Sequence, residues 1–119
     1  MSSLYIIAEC AQGYAASSLD ESLNLAFWLA RSAKAAGANA VKFQLVIAQE
    51  LATQDYKYFD LFESLELGIA GWKQVADLAR SLDLDLMFDI FGELSLKMAV
   101  DLGAAAVKLH PTDFTNFDL

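Results

Sequence analysis

The stretch Ala40-Val41-Lys42-Phe43-Gln44, reached shortly after Gly37, decides how this chain is read. It is a short apolar run with a lysine and a glutamine set two apart. Side chains alternate along a strand, so Val41 and Phe43 face one way while Lys42 and Gln44 face the other. A near-parallel run recurs at Ala105-Ala106-Val107-Lys108-Leu109-His110, where Lys108 and His110 share one face and Val107 and Leu109 the opposite one. Two lysines near the C-terminal ends of two buried strands are costly to place unless something anionic sits between them. The pair therefore reads as a ligand site.

Outward from these runs the chain alternates strand and helix. Leu4 to Glu9 is apolar and ends on an acid, as a buried strand would. A small-residue loop, Cys10 to Ser18, leads to a helix that Ser18 or Asp20 can cap, with Glu21 complementing the helix dipole in its first turn. Leu23, Ala26, Phe27, Ala30 and Ala33 follow helical spacing as far as Ala36, Leu25 and Trp28 widen the stripe, and Gly37 suits the position just past the helix end. After Gln44, the long stretch Leu45 to Leu67 carries Tyr56, Tyr58, Phe59 and Phe62 among acids, and a stretch of that length is functional or hides a short helix. A second helix is predicted over Ile69 to Leu82, a third strand over Asp85 to Phe91, a third helix over Glu93 to Leu102 closed by Gly103, and a fourth strand from Ala105. Trp28, Trp72 and the aromatic cluster around Tyr58 are assigned to the core. Asp77, Asp83 and Asp101 are assigned to solvated helix faces.

The order β-α-β-α-β-α-β with apolar strands predicts an α/β fold, a parallel sheet covered by helices. A four-stranded doubly wound sheet and the first half of a TIM (β/α)8 barrel both fit. No glycine-rich phosphate loop follows the first strand, where the chain reads Glu9-Cys10-Ala11-Gln12-Gly13. Charged residues at the ends of successive strands suit a barrel mouth, so residues 1–119 are read as a single half-barrel domain.

Composition bounds the function. With 119 residues, 56% of them hydrophobic, and one proline, the chain is long enough for one folded unit. Sixteen acids against eight lysines and arginines give a net charge of −8, which disfavours nucleic acid and anionic membrane surfaces as partners. No apolar run reaches the roughly 18 residues of a membrane span. The opening residues lack the basic start and long apolar block of a secretory signal, and Cys10 has no second cysteine to pair with. A cytoplasmic location is the expectation.

The residues Ile6-Ile7-Ala8-Glu9, Ala36-Gly37-Ala38-Asn39-Ala40-Val41-Lys42-Phe43-Gln44, Leu65-Glu66-Leu67 and Val107-Lys108-Leu109 resemble, in this order, the N-terminal barrel half of the sialic acid synthase (N-acetylneuraminate synthase) family. Thr115-Asn116-Phe117-Asp118-Leu119 resembles that family's turn after the fourth strand. The resemblance implies a transferase of sialic acid biosynthesis that condenses phosphoenolpyruvate with an N-acetylmannosamine-type sugar on a (β/α)8 barrel. It implies a divalent metal, Mn or Mg, whose ligands lie outside this chain. Position by position, Lys42 and Lys108 match phosphoenolpyruvate-binding lysines, Gln44 a glutamine near the sugar, and Glu9 an acid at the reaction centre. Asn116 and Asp89 join the substrate-binding candidates, Asp89 as a rebuilt contact where the family carries a hydroxyl. Further departures are Gly13-Tyr14-Ala15-Ala16 in place of an N-H-N-G type loop, and His110-Pro111 in place of a small residue followed by serine. His110 without a spaced acid is a weak metal ligand, and Cys10 without a basic partner a weak nucleophile.

Three readings follow. The chain is a sialic acid synthase-like domain that is inactive by itself and completed by a second half-barrel or by its own copies; a non-catalytic half-barrel that keeps anion binding or an assembly role; or another phosphoenolpyruvate-condensing barrel of the aldulosonate kind. Unpaired edges on strands one and four, and an exposed inner face with Tyr5, Ile7 and Met87, predict a homo-oligomer.

Overall fold

The computed structural model describes residues 3–119. Four strands, β1 (Ile7–Ala11), β2 (Ala40–Gln44), β3 (Asp85–Ile90) and β4 (Ala106–Leu109), form one sheet in the order β1-β2-β3-β4, every pair parallel. A doubly wound sheet reverses its strand order part-way and carries helices on both faces, whereas a barrel adds strands in sequence with helices outside. Both criteria select the barrel. Val41, Phe43 and Phe88, on one face, are fully buried, while Ile7 on the other is 46% exposed.

The helices are α1 (Leu19–Ala35), α2 (Ala48–Leu51), α3 (Phe59–Ser64), α4 (Gly68–Ser81) and α5 (Glu93–Asp101). Ser18 caps α1 by accepting the Glu21 N–H at 3.2 Å, and Glu21 Oε2 reaches back to the Ser17 N–H at 3.3 Å. The helix buries Leu23, Ala26, Ala30 and Ala33 against the sheet and α4. It ends where Gly37 takes φ +91°, a left-handed turn that favours glycine. In α4, Gly71 lets the two helices approach: a Cβ there would sit 3.3 Å from Leu23 Cδ2. The long stretch after β2 holds the two short helices α2 and α3.

Two expectations are corrected. The first strand starts at Ile7 instead of Leu4, because the Asn39 side chain takes the Ile6 N–H at 2.7 Å and diverts it from the ladder. It then runs past Glu9 through a register shift to Ala11, whose φ of +45° kinks the chain. Trp28 is 63% exposed and no part of the core, and Tyr56 and Tyr58 are half-exposed. Tyr14, in the small-residue loop after β1, is fully buried. Its ring meets Trp72 edge-on at 5.2 Å and Phe43 at 6.0 Å, and its hydroxyl donates to the Gln44 carbonyl at 2.8 Å. Trp72 lies within this cluster as expected, with Phe88 at 5.1 Å.

Candidate functional site

The strand register decides which side chains share a surface. Ile7, Ala40 and Asp85 align across β1 to β3; Glu9, Lys42, Met87 and Ala106 form the next row; Gln44, Asp89 and Lys108 form the row nearest the C-terminal ends. All lie on the face opposite the helices. Glu9, Lys42, Gln44, Asp89 and Lys108, named from sequence, therefore occupy one surface. Asn116 does not join them: it sits in the turn after β4, its amide 3.4 Å from Asp113 Oδ1.

With strands about 4.8 Å apart and about 3.3 Å of rise per residue, the Cα atoms of Lys42 and Lys108 are roughly 12 Å apart. Two long side chains can close on a small dianion across that gap. Between them stands Asp89, which is 8% exposed. The Lys42 ammonium lies 2.7 Å from Glu9 Oε2 and 3.1 Å from Asp89 Oδ1. The second contact is an ion pair lying off the hydrogen-bonding direction, so this buried oxygen has charge compensation and no well-aligned donor. Burial alone would push the Lys42 ammonium down; the contacts with Glu9 and Asp89 overcome it and hold the group above the ordinary lysine value. Glu9 is fixed from its other side, where Oε1 accepts the Ala11 N–H at 3.0 Å across the kink. Lys108 makes no ion pair among the described residues.

At the base of this face the Tyr5 hydroxyl donates to Asp85. Counting Asp85, the surface carries three carboxylates against two ammonium groups. Cys10, on the helix side, is half-buried; burial and then the Glu9 charge push its thiol up, which suits a packing residue and not a nucleophile. Among the described residues no group of three or more His, Cys, Asp or Glu side chains is placed to hold a metal ion, so the residues present do not fit the implied divalent cation.

Sequence reasoning missed the supports of this mouth. Gly92, the residue just before α5, has no side chain to cap the helix, and Glu50 of α2 does so from outside: Oε1 accepts the N–H groups of Leu94 at 2.6 Å and Ser95 at 3.1 Å. Glu66 Oε1 in turn accepts the Ala48 N–H at 2.6 Å and starts α2. Both contacts span distant parts of the chain and leave no local pattern. Beside them, Glu50, Leu51, Phe91, His110, Thr112 and Asp113 line a cleft of about 410 Å³. The Phe91 and His110 rings lie 5.8 Å apart across its wall.

Comparison with known proteins agrees with this architecture. The chain is 29% identical to the N,N'-diacetyllegionaminic acid synthase of Legionella pneumophila subsp. pneumophila over 94% of its own length, and spans only 34% of that relative. It superposes on the N-acetylneuraminic acid (sialic acid) synthetase of Leptospira borgpetersenii serovar Hardjo-bovis, solved with citrate, with a TM-score of 0.83 at 24% identity, covering 98% of this chain and 39% of that one. The spore coat polysaccharide biosynthesis protein spsE of Bacillus subtilis matches with a TM-score of 0.66 at 28% identity, over 88% of this chain and 28% of that one. Residues 29–119 match the model of the NeuB family, and on that match, with the four-stranded half-barrel beneath it, the chain belongs to the NeuB family.

Proposed function

We propose that residues 1–119 act as the half-barrel domain of a sugar-acid synthase that binds phosphoenolpyruvate through Lys42 and Lys108 and joins it to an N-acetylmannosamine-type sugar. The observation that carries this is the placement of both lysines, with Glu9, Gln44 and Asp89, on one face at the C-terminal ends of β1 to β4. Two ammonium groups balance phosphate and carboxylate, and stabilise charge as the enol carbon attacks an aldehyde. Glu9, held by Lys42 and the Ala11 N–H, orients the sugar or moves a proton. The bare inner face and the open edges of β1 and β4 are covered by further strands or by a second copy, and the isolated chain does not turn over. The reaction runs in the cytoplasm, where a lone thiol stays reduced. No helix among the described residues is long and apolar enough to cross a membrane.

One observation favours a non-catalytic half-barrel: two carboxylates already occupy Lys42, which weakens its hold on any anion. Calorimetry with phosphoenolpyruvate on the parent, Lys42→Ala and Lys108→Ala decides between the two. Binding that either substitution abolishes supports the synthase reading. A parent that binds nothing at millimolar ligand leaves the assembly role.

A further inference from the structure

We infer that the cleft between α4, α5 and the segment joining β2 to α2 binds a small uncharged apolar molecule that carries one hydrogen-bond acceptor, a carbonyl oxygen above all. The cleft has a volume of about 440 Å³, within the usual range of small-molecule sites. It lies on the helix side of the sheet, with Phe43 and Phe88 beneath it, so it stands whatever ligand Lys42 and Lys108 take on the other side.

Its walls are apolar, and its floor holds a donor without an acceptor. Val46, Ile47, Ile69, Leu94 and Met98 supply aliphatic surface around Trp72. Trp72 is 1% exposed, and its ring packs on Tyr14, Phe43 and Phe88 at 5.2, 5.5 and 5.1 Å between centroids. Those rings accept no ordinary hydrogen bond, and the indole N–H has no partner among the described residues. A buried N–H left unpaired is costly, and an acceptor that arrives with a ligand accounts for it.

A second set of donors opens on the same space. Leu67, just before α4, has no oxygen on its side chain to cap the helix, and the first turn holds no acid. The amides of that turn thus lack a side-chain acceptor at the positive end of a helix of 14 residues, whereas Ser18 caps α1 and Glu50 caps α5. Gly68 leads into α4 at φ +71° with open space where a Cβ would stand, which keeps this entrance clear.

The charges select against an anion. Glu66 and Asp101 stand on the rim against Lys97 alone, and the Lys97 ammonium is already bound to Asp101 at 2.8 Å. An acyl or aromatic carbonyl satisfies the donors without bringing a charge into an apolar space, and its hydrocarbon part takes the aliphatic walls.

The test is an NMR titration of the chain with acetophenone, following the indole N–H signals, beside a parallel titration with benzoate. The chain has two tryptophans, and Trp28, 63% exposed and outside the cleft, is the internal control. Acetophenone is expected to move the Trp72 signal downfield saturably, with an affinity of about 1 mM, and to leave the Trp28 signal in place. Ile69→Asp sets a carboxylate at the entrance and should weaken acetophenone about tenfold. Ile69 is half-exposed and an acid suits a first helical turn, so the fold stands. A Trp72 signal unmoved by the probe, an affinity unchanged in Ile69→Asp, or benzoate binding more tightly than acetophenone would overturn the inference. So would a Trp72 signal that shifts with protein concentration before any probe is added, since a second copy then covers the cleft.

Discussion

Replacing Asp89 by asparagine removes one charge and almost no volume from the centre of the candidate site. At 3.1 Å from the Lys42 ammonium, the carboxylate attracts it by about 5 kcal/mol at an effective dielectric of about 20. Most of that attraction offsets the several kcal/mol needed to desolvate each ion, and Lys42 keeps Glu9 at 2.7 Å after the change. A net loss of about 1–2 kcal/mol in folding stability is therefore expected, below the 3–5 kcal/mol typical when a buried charge is stranded. Anion binding should move the other way. An anion seated on Lys42 would lie about 6 Å from the Asp89 carboxylate, where repulsion is about 1.4 kcal/mol at a dielectric near 40. Its removal tightens binding about tenfold. Calorimetry with phosphoenolpyruvate at low salt, paired with urea denaturation, measures both quantities on one preparation. An Asp89→Asn protein that binds phosphoenolpyruvate more weakly than the parent would refute the reasoning, making Asp89 a ligand contact and not a competitor for Lys42.

Other expectations follow from neighbouring contacts. A Cβ at Gly92 would fall 2.6 Å from Glu50 Oε1, so Gly92→Ala should dislodge the α5 cap and cost about 1–2 kcal/mol; in a Glu50→Ala background the same change should cost little, and equal costs in a double-mutant cycle would contradict the cap. Tyr14→Phe should lose about 1 kcal/mol in denaturant unfolding by orphaning the Gln44 carbonyl. Burial pushes the Tyr14 phenol up, so phenolate absorbance should show Tyr14 withheld in the folded protein at a pH where tyrosine ordinarily ionises. For Lys42 the folded pKa lies above the unfolded one. Its stabilisation is then complete below the ordinary lysine value of about 10.4 and fades as pH rises through the folded value, because the unfolded chain loses that proton first. Lys42→Met should flatten this part of the alkaline stability profile.

Much of the fold was written locally. The alternation at Val41, Lys42, Phe43 and Gln44 sorted helix side from open side before any contact was known, and Gly37 and Gly103 marked helix ends through the positive φ they adopt. Trp28 misled because helical spacing counts hydrophobic residues without showing how wide the sheet beneath them is; α1 presents alanines inward and leaves the indole outside. Tyr14 leaves no periodic signal, since a single aromatic in a loop joins the cluster of Phe43 and Trp72 through tertiary packing alone. The gathering of Glu9, Lys42 and Asp89 was only half legible. Strand parity put them on one side, but row alignment across three strands is set by tertiary pairing, and the ion pairs depend on it. Glu50 and Glu66 gave no signal, since a carboxylate capping a helix from another element has no fixed spacing to it.

The kink at Ala11 separates the aim of Glu9 from the loop that follows it. A non-glycine residue at φ +45° is held there against a steric cost of about 1–2 kcal/mol, so the bend is built in and does not drift with its surroundings. Upstream of it, Glu9 is anchored by the sheet and by the bend's own amide. Downstream, the chain leaves in a new direction and carries Tyr14 into the core against Phe43 and Trp72. A change in the loop beyond Ala11 therefore reaches the carboxylate of Glu9 only by undoing a bend that the backbone already holds.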